Sequence, residues 1–356
     1  MSLQVITATQ AVAQLPNYSS VIDARSEAEF ALDHLPGAVN WPTLNNDERH
    51  RIGTMYVQEN PFEAKKRGAA IAARNIAGHI ERELLDAPKS WQPLLYCWRG
   101  GKRSGSLALV LDQIGFRVSL IEGGYKAFRS AVLADLPLQA QRHRYQVVCG
   151  PTGSGKTRLL VALAQAGAQV LDLEGLACHR SSVLGQIPGQ AQPSQKRFDT
   201  LVWDALRSFD ATRPVFIESE SKKVGNLAVP AALIVAMHAS PCLDLQLPTE
   251  ERVALLLEDY AFFLHDRELF CDRLHALTEL RSKAVVDGWK ALVHAGRSEQ
   301  VVRELLTLHY DPGYAASIRR NFEHYADARA VRASTRSDAT FAEIAKSLRA
   351  ELDLPA

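Results

Sequence analysis

Cysteine is scarce in this chain of 356 residues: there are five, and no two stand close enough to form a C-x-x-C pair. That spacing argues against both the disulfide framework of a small secreted domain and a zinc site. An excess of either charge is also missing. Lys and Arg number 41 against 40 Asp and Glu, for a formal net charge of +1. Any nucleic-acid contact must therefore come from local basic patches rather than a field of one sign. No stretch approaches the roughly 18 consecutive apolar residues of a membrane span. The first fifteen residues have no basic segment ahead of an apolar one, so no signal peptide is expected. Internal repeats and low-complexity tracts are absent as well. What remains is an ordinary globular composition, 47% hydrophobic and 23% charged, long enough for two domains with separate cores. A reducing cytoplasm is the expected location, with no membrane partner.

Against that background the stretch Tyr96-Cys97-Trp98-Arg99-Gly100-Gly101-Lys102-Arg103-Ser104 stands out. The apolar run from Pro93 to Tyr96 reads as a short buried strand that delivers Cys97 into a loop. Behind it, Leu107, Val110, Leu111 and Ile114 repeat at helical spacing, with Gly115 as the stop. Strand, tight loop and helix N-terminus would then surround the sulfur. Loop amides, the helix dipole and Arg99, Lys102 and Arg103 all favour thiolate over thiol. Gly100 and Gly101 allow backbone N–H groups to face a bound anion. A small core cysteine is the bland alternative, but three cations and two glycines are poor core material.

This loop resembles that of rhodanese-type sulfurtransferases. Asp23-Ala24-Arg25-Ser26, Glu29-Phe30 and His34 to Ala38 resemble the family's first-half signature, and Ile121 to Tyr125 its closing segment. The chain departs in one respect: Arg103 gives Cys-x5-Arg, one residue wider than common sulfur-carrying loops. A wider loop suits a group larger than one sulfur, including a phosphorus oxyanion. It also approaches the phosphatases built on the same fold. Val21 to Asp23 and Phe116 to Ile121 read as further strands of an α/β domain over residues 1–135. Glu63 to Leu85 reads as a covering helix, with Lys65-Lys66-Arg67 as a solvated face.

Residues 136–144 have turn and polar character and are expected to be a linker. After them, the strand-like Tyr145 to Cys149 leads into Gly150-Pro151-Thr152-Gly153-Ser154-Gly155-Lys156-Thr157, a G-x-x-x-x-G-K-[ST] loop that opens a helix. Amides of Gly150, Gly153, Ser154 and Gly155 would cradle a diphosphate, Lys156 would neutralise it, and Thr157 would hold a magnesium ion. Carboxylates that could serve the magnesium follow two later strands. They are Asp172 and Glu174, then Glu218 and Glu220, with Asp172 and Glu218 preferred. No segment reads as a guanine or adenine reader, so the pattern leaves the ligand open to any diphosphate.

The order of the two domains narrows the resemblance. With Asp172 to Arg180, Phe216 to Ser221 and Tyr310-Asp311-Pro312, the chain is similar to tRNA 2-selenouridine synthases over most of its length. The resemblance implies an α/β fold. A rhodanese-like domain is followed by a P-loop NTPase-like parallel-sheet domain (145–248) and a helical C-terminal region (249–356). It implies exchange of sulfur for selenium in wobble 2-thiouridine of the lysine, glutamate and glutamine tRNAs. Selenophosphate is the donor, supplied by a selenophosphate-producing enzyme, and the route runs through an S-geranylated base made from geranyl diphosphate. Cys97 is then the catalytic residue, expected to take selenium from selenophosphate and deliver it to C2 of the base. Arg99, Gly100, Gly101, Lys102 and Arg103 bind selenophosphate, and the P-loop binds the diphosphate. No tightly bound cofactor is expected beyond magnesium at the P-loop.

Basic residues recur at Lys222, Lys223, Arg281, Lys283, Arg319, Arg320, Arg329 and Arg332, with Tyr310, Tyr314, Phe322 and Tyr325 among the later ones, a composition that suits a tRNA surface. Amphipathic packing would give the same pattern. Two other functional readings stay open. One is a P-loop kinase or NTPase with a regulatory rhodanese module, in which Cys97 would be dispensable. The other is a Cys-x5-Arg phosphatase, against which stand Tyr96 in place of the usual preceding histidine and the lack of an evident leaving-group acid.

Overall fold

A computed structural model describes residues 3–352. The chain divides into two compact units, Met1–Asp135 with Ser194–Asp204, and Leu136–Pro193 with Ala205–Ala356.

The first unit is built on five parallel strands, β1 (Gln4–Ile6), β2 (Ser20–Asp23), β3 (Ala38–Asn40), β4 (Pro93–Tyr96) and β5 (Ser119–Ile121), in the order β1-β5-β4-β2-β3. Helices α1 (Ala8–Ala13), α2 (Glu27–Leu32), α3 (Asn46–Gln58), α4 (Pro61–Glu83), α5 (Lys102–Ile114) and α6 (Gly124–Arg142) connect them. All four residues of β4 are buried, as expected of a central parallel strand covered on both faces. One face packs Leu95, Leu107, Leu111, Ile76 and Trp41 into a shared core. Gly115 ends α5 in the left-handed region, as its position after the periodic run predicts. α4 starts earlier than its apolar spacing suggests, because Asn60 caps the N–H groups of Phe62 and Glu63 and Pro61 occupies the first turn.

The expected linker is largely helical. α6 continues to Arg142 with Pro137 inside it, and its buried face carries on through Leu136 and Ala140. That i, i+4 pair stands beside Pro137 and among Asp135, Gln139 and Gln141, which is why the segment reads as a turn in sequence.

The second unit repeats the parallel plan. Its strands are β6 (Tyr145–Cys149), β7 (Gln169–Leu171), β8 (Val215–Glu218), β11 (Cys242–Gln246) and β12 (Arg329–Arg332), ordered β12-β11-β6-β8-β7, with β9 (Lys223–Val224) and β10 (Leu227–Ala228) as a small antiparallel pair. Helices α7 (Lys156–Gln165), α8 (Leu173–Ala177) and α10 (Ala231–His238) lie between the strands, whereas α9 (Gln195–Ser208), which follows α8 in the chain, belongs as far as Asp204 to the first unit. Then come α11 (Thr249–Asp259), α12 (Ala261–His265), α13 (Arg267–His275), α14 (Lys283–His294), α15 (Ser298–Leu305), a π turn (Leu306–Tyr310), α16 (Asp311–Asn321) and α17 (Asp338–Leu352). Residues 249–356 are thus not wholly helical: β12 returns as an edge strand beside β11. Three of its four residues are exposed and two are arginines, the charged profile of a protected edge.

Among the described residues two cores stand out here. One joins Val148, Leu159, Leu163 and Phe216 to Phe341 of α17. The other joins Phe263, Phe270, Leu274, Trp289 and Val301 of the helical region. Among the described residues no helix is long and apolar enough to cross a membrane.

Candidate functional site

In each five-stranded sheet the middle strand places a candidate loop at its C-terminal end, where parallel sheets present their loops. Cys97 follows β4. It is nearly buried, and its Sγ lies 3.3 Å from the N–H of Gly101 and 3.1 Å from the hydroxyl of Ser104, which is fully buried in the first turn of α5. The Gly123-Gly124-Tyr125 segment closes over the loop: Tyr125 N–H donates to Cys97 O at 2.7 Å, and Lys126 N–H to Trp98 O at 3.0 Å. Gly124 has φ +56°, and a Cβ there would lie 2.2 Å from Cys97 O, so this approach requires glycine.

The expected anion ligands are distributed unevenly. Arg99 and Lys102 are exposed beside the loop. Arg103 instead turns to Glu29, with contacts of 2.6 and 3.2 Å. Burial alone would raise the Glu29 carboxyl, but the hydrogen bonds and charge of Arg103, with Ser26 and Arg49, hold it below the usual range. Asp23 and Arg25 form a buried pair at 2.6 Å, and the Arg25 guanidinium sits 4.0 Å from the Tyr125 ring centre. Both residues are buried, and Arg25 lies against Tyr125 of the segment that closes over the loop. Ser104 was not singled out from sequence, although a hydroxyl directly after Arg103 on the first helical turn was the signal available.

The P-loop follows β6. Gly155, at φ +89°, lies where a Cβ would be 2.3 Å from the Phe341 ring. Lys156 Nζ donates to Gly150 O at 2.8 Å, and the Thr157 hydroxyl to Glu174 at 3.3 Å. The Ser154 hydroxyl is buried without a partner. Oxygens of Glu174, Glu218 and Glu220 lie within 4.8 Å of one another. Both Glu218 oxygens are buried and unpartnered. Burial and the neighbouring carboxylates push Glu218 well above the usual range, and Glu220 up to about 8. Asp172 stands outside this trio and caps α8 through the Gly175 N–H at 2.8 Å. A cavity of about 370 Å³ opens above, lined by Lys156, Thr157, the three glutamates and Tyr314.

The aromatics considered for RNA stacking are engaged inside this unit. Tyr314 accepts from the Gly150 N–H at 2.5 Å, Phe322 is buried against His238, Tyr325 donates to Asp244, and Tyr310 lines the cavity.

A family model described as the tRNA 2-selenouridine synthase AAA domain matches residues 143–280, and one for the rhodanese-like domain matches residues 7–131. A tRNA 2-selenouridine synthase of a Sulfurovum species is 31% identical over 340 residues, covering 86% of this chain and 90% of that protein. The chain belongs to the tRNA 2-selenouridine synthase family. A member from Alcanivorax borkumensis is 37% identical over 68% of this chain and 67% of its own length. Another, from Marinobacter nauticus, is 34% identical over 67% of this chain and just under two thirds (65%) of its own length. Two stretches that carry the family resemblance have bracing tasks in this structure. Asp311 of the Tyr-Asp-Pro stretch pairs with the buried Arg252 at 2.6 Å, and Arg252 donates twice to Thr152 O, at 2.8 and 3.1 Å. In the Asp-Leu-Glu-Gly stretch, Asp172 fixes α8 so that Glu174 reaches Thr157.

Proposed function

We propose that this protein exchanges the sulfur of wobble 2-thiouridine in tRNA for selenium, using selenophosphate and an S-geranylated intermediate. Membership of the family supports the reaction class. The observation that carries the geranyl reading is an apolar crevice beside the phosphate cavity, lined by Leu184, Leu256, Phe263, Phe270, Val302 and Leu305. It shares Thr152, Ser182, Leu256, Tyr260 and Tyr310 with that cavity. A diphosphate on the P-loop would thus have aliphatic and aromatic side chains beside it. At about 40 Å³ the crevice is smaller than a ten-carbon chain, which would extend from it into the adjoining cavity.

In the first step the base sulfur attacks C1 of geranyl diphosphate. The C–O bond breaks, and its electron pair leaves with the diphosphate. Lys156 and the loop amides meet the oxygens that gain charge. Glu174, Glu218, Glu220 and the Thr157 hydroxyl form an all-oxygen donor set, and the orphaned Glu218 oxygens fit a hard divalent cation such as magnesium. When bound, that ion would offset negative charge on the diphosphate.

In the second step the Cys97 thiolate attacks the phosphorus of selenophosphate. The P–Se bond breaks with its pair on selenium. The selenide adds to C2 of the base, geranylthiolate leaves, and water hydrolyses the phosphorylated cysteine. Attack at selenium would instead leave the pair on phosphorus and eject phosphite, a two-electron reduction of phosphorus. The wide Cys-x5-Arg loop suits the phosphoryl group. Ser104 is placed to hydrogen-bond the sulfur as nucleophile and as leaving group. Arg103 reaches the phosphoryl oxygens only by releasing Glu29.

The test is purified protein with 2-thiouridine tRNA, geranyl diphosphate and selenophosphate, and no nucleotide. Nucleoside mass analysis should find geranylated and then selenated uridine. A requirement for ATP or GTP hydrolysis in alkylation would contradict the diphosphate reading.

A further inference from the structure

Helices α3 and α4 form a hairpin whose base is fixed and whose tip is not used by the fold. At the base, Ile71 and Ile76 are buried, Asn75 donates to Thr43 O at 3.2 Å, and His79 bonds Pro42 O at 3.0 Å. The helices approach closely at Gly68, where a Cβ would lie 3.2 Å from Ile52. Towards the turn the picture reverses. α3 has no buried residue, and Tyr56, Val57 and Phe62 are 48%, 82% and 66% exposed.

The charge here is concentrated and positive. Between residues 51 and 68, towards the turn, the hairpin carries Arg51, Lys65, Lys66 and Arg67 against Glu59 and Glu63, and Lys66 pairs with Glu63 at 2.6 Å on the exposed surface. Two of these cations sit by the exposed rings: Lys65 Nζ is 5.9 Å from the Tyr56 centroid, and Lys66 Nζ 5.1 Å from that of Phe62. Exposed rings interleaved with lysines match the needs of RNA, whose unstacked bases take aromatic faces and whose phosphates take cations. A protein-binding patch would differ, since lysine is depleted at the cores of such interfaces.

We propose that the tip of the α3–α4 hairpin is an RNA-binding surface, with Phe62 and Tyr56 as stacking platforms and Lys65 and Lys66 on the phosphates. The proposal rests on the tRNA-modifying reading above. It puts RNA contact on the first unit, in place of the C-terminal aromatics, whose rings are occupied internally.

The experiment is filter binding of a 2-thiouridine-containing tRNA to the full chain across a salt series. Wild type is compared with Phe62→Ala/Lys65→Ala/Lys66→Ala and with Arg319→Ala/Arg320→Ala. All five side chains are exposed, and the melting temperature of each variant reports on folding. The hairpin variant should bind about tenfold or more weakly from the loss of one stacking ring and two cations. The slope of log K against log salt should become shallower by about 1.5, two cations at 0.7–0.9 each. Equal affinity and slope in the hairpin variant, or loss only in the Arg319/Arg320 variant, overturns the proposal. Retained RNA binding with loss of binding to a selenophosphate-producing enzyme overturns it in favour of a protein dock. If the wild-type protein itself fails to bind this tRNA, the tRNA-modifying reading falls first.

Discussion

Ser104 and Glu220 show how much of the residue-scale chemistry depends on neighbours rather than on side-chain type. The Ser104 hydroxyl lies 3.1 Å from Cys97 Sγ, and a hydrogen bond to a charged partner is worth about 1.5–3 kcal/mol. Ser104→Ala should therefore slow selenium incorporation on the order of tenfold or more, with geranylation unchanged, and Ser104→Thr should restore part of the rate. Acid-quenched Ser104→Ala protein should hold phosphate on Cys97, told from selenium by isotope pattern. Selenium on that cysteine instead would contradict attack at phosphorus. With no cation bound, burial and the neighbouring Glu174 push the Glu220 carboxyl up to about 8, far above the ordinary value near 4.5. Between those values the native state holds a proton that the unfolded chain has lost. Its contribution to stability is complete below about pH 4.5 and is lost as pH rises through about 8. Glu220→Gln should flatten that part of the profile of melting temperature against pH. An unaltered profile would mean that Glu220 does not titrate there.

At the scale of elements, local pattern predicts what local geometry controls. The β4–loop–α5 and β6–loop–α7 units follow from apolar runs ahead of glycine-containing loops, and the Gly115 stop from its place after the last periodic residue. Patterns set by distant partners were not legible. Leu136 and Ala140 define a helical face only because other elements cover them, and β12 exists because β11 offers an open edge. The same limit applies to the sites. Glu174, Glu218 and Glu220 were visible as candidates after two strands, but their grouping without Asp172 depends on the N-cap of α8. Nothing near Arg252 in sequence signals its role, since its partners Thr152 and Asp311 lie far along the chain. Arg252→Ala should unbrace the P-loop and lower stability by about 1–3 kcal/mol, raising KM for geranyl diphosphate more than it lowers the rate of the selenium step. Thermal melts and separate assays of the two steps check this, and an unchanged KM would remove the brace from the account.

At the scale of the whole molecule, two parallel sheets each carry one glycine-containing loop after the middle strand, and each has its own core. The fusion was legible because both loop motifs are contiguous in sequence. The apolar crevice was not, because Leu184, Leu256, Phe270 and Val302 come from separate segments. Two sites with separate chemistry predict separable defects. The decisive measurement is nucleoside mass analysis of 2-thiouridine tRNA, and of tRNA already geranylated, after incubation with Cys97→Ala and Lys156→Ala proteins plus both donors. Cys97→Ala should accumulate geranylated tRNA and form no selenouridine from either substrate. Lys156→Ala should fail on 2-thiouridine tRNA but form selenouridine from the geranylated one. Selenouridine at wild-type levels from Cys97→Ala, or failure of Lys156→Ala on pre-geranylated tRNA, would contradict the division of the reaction between the two loops.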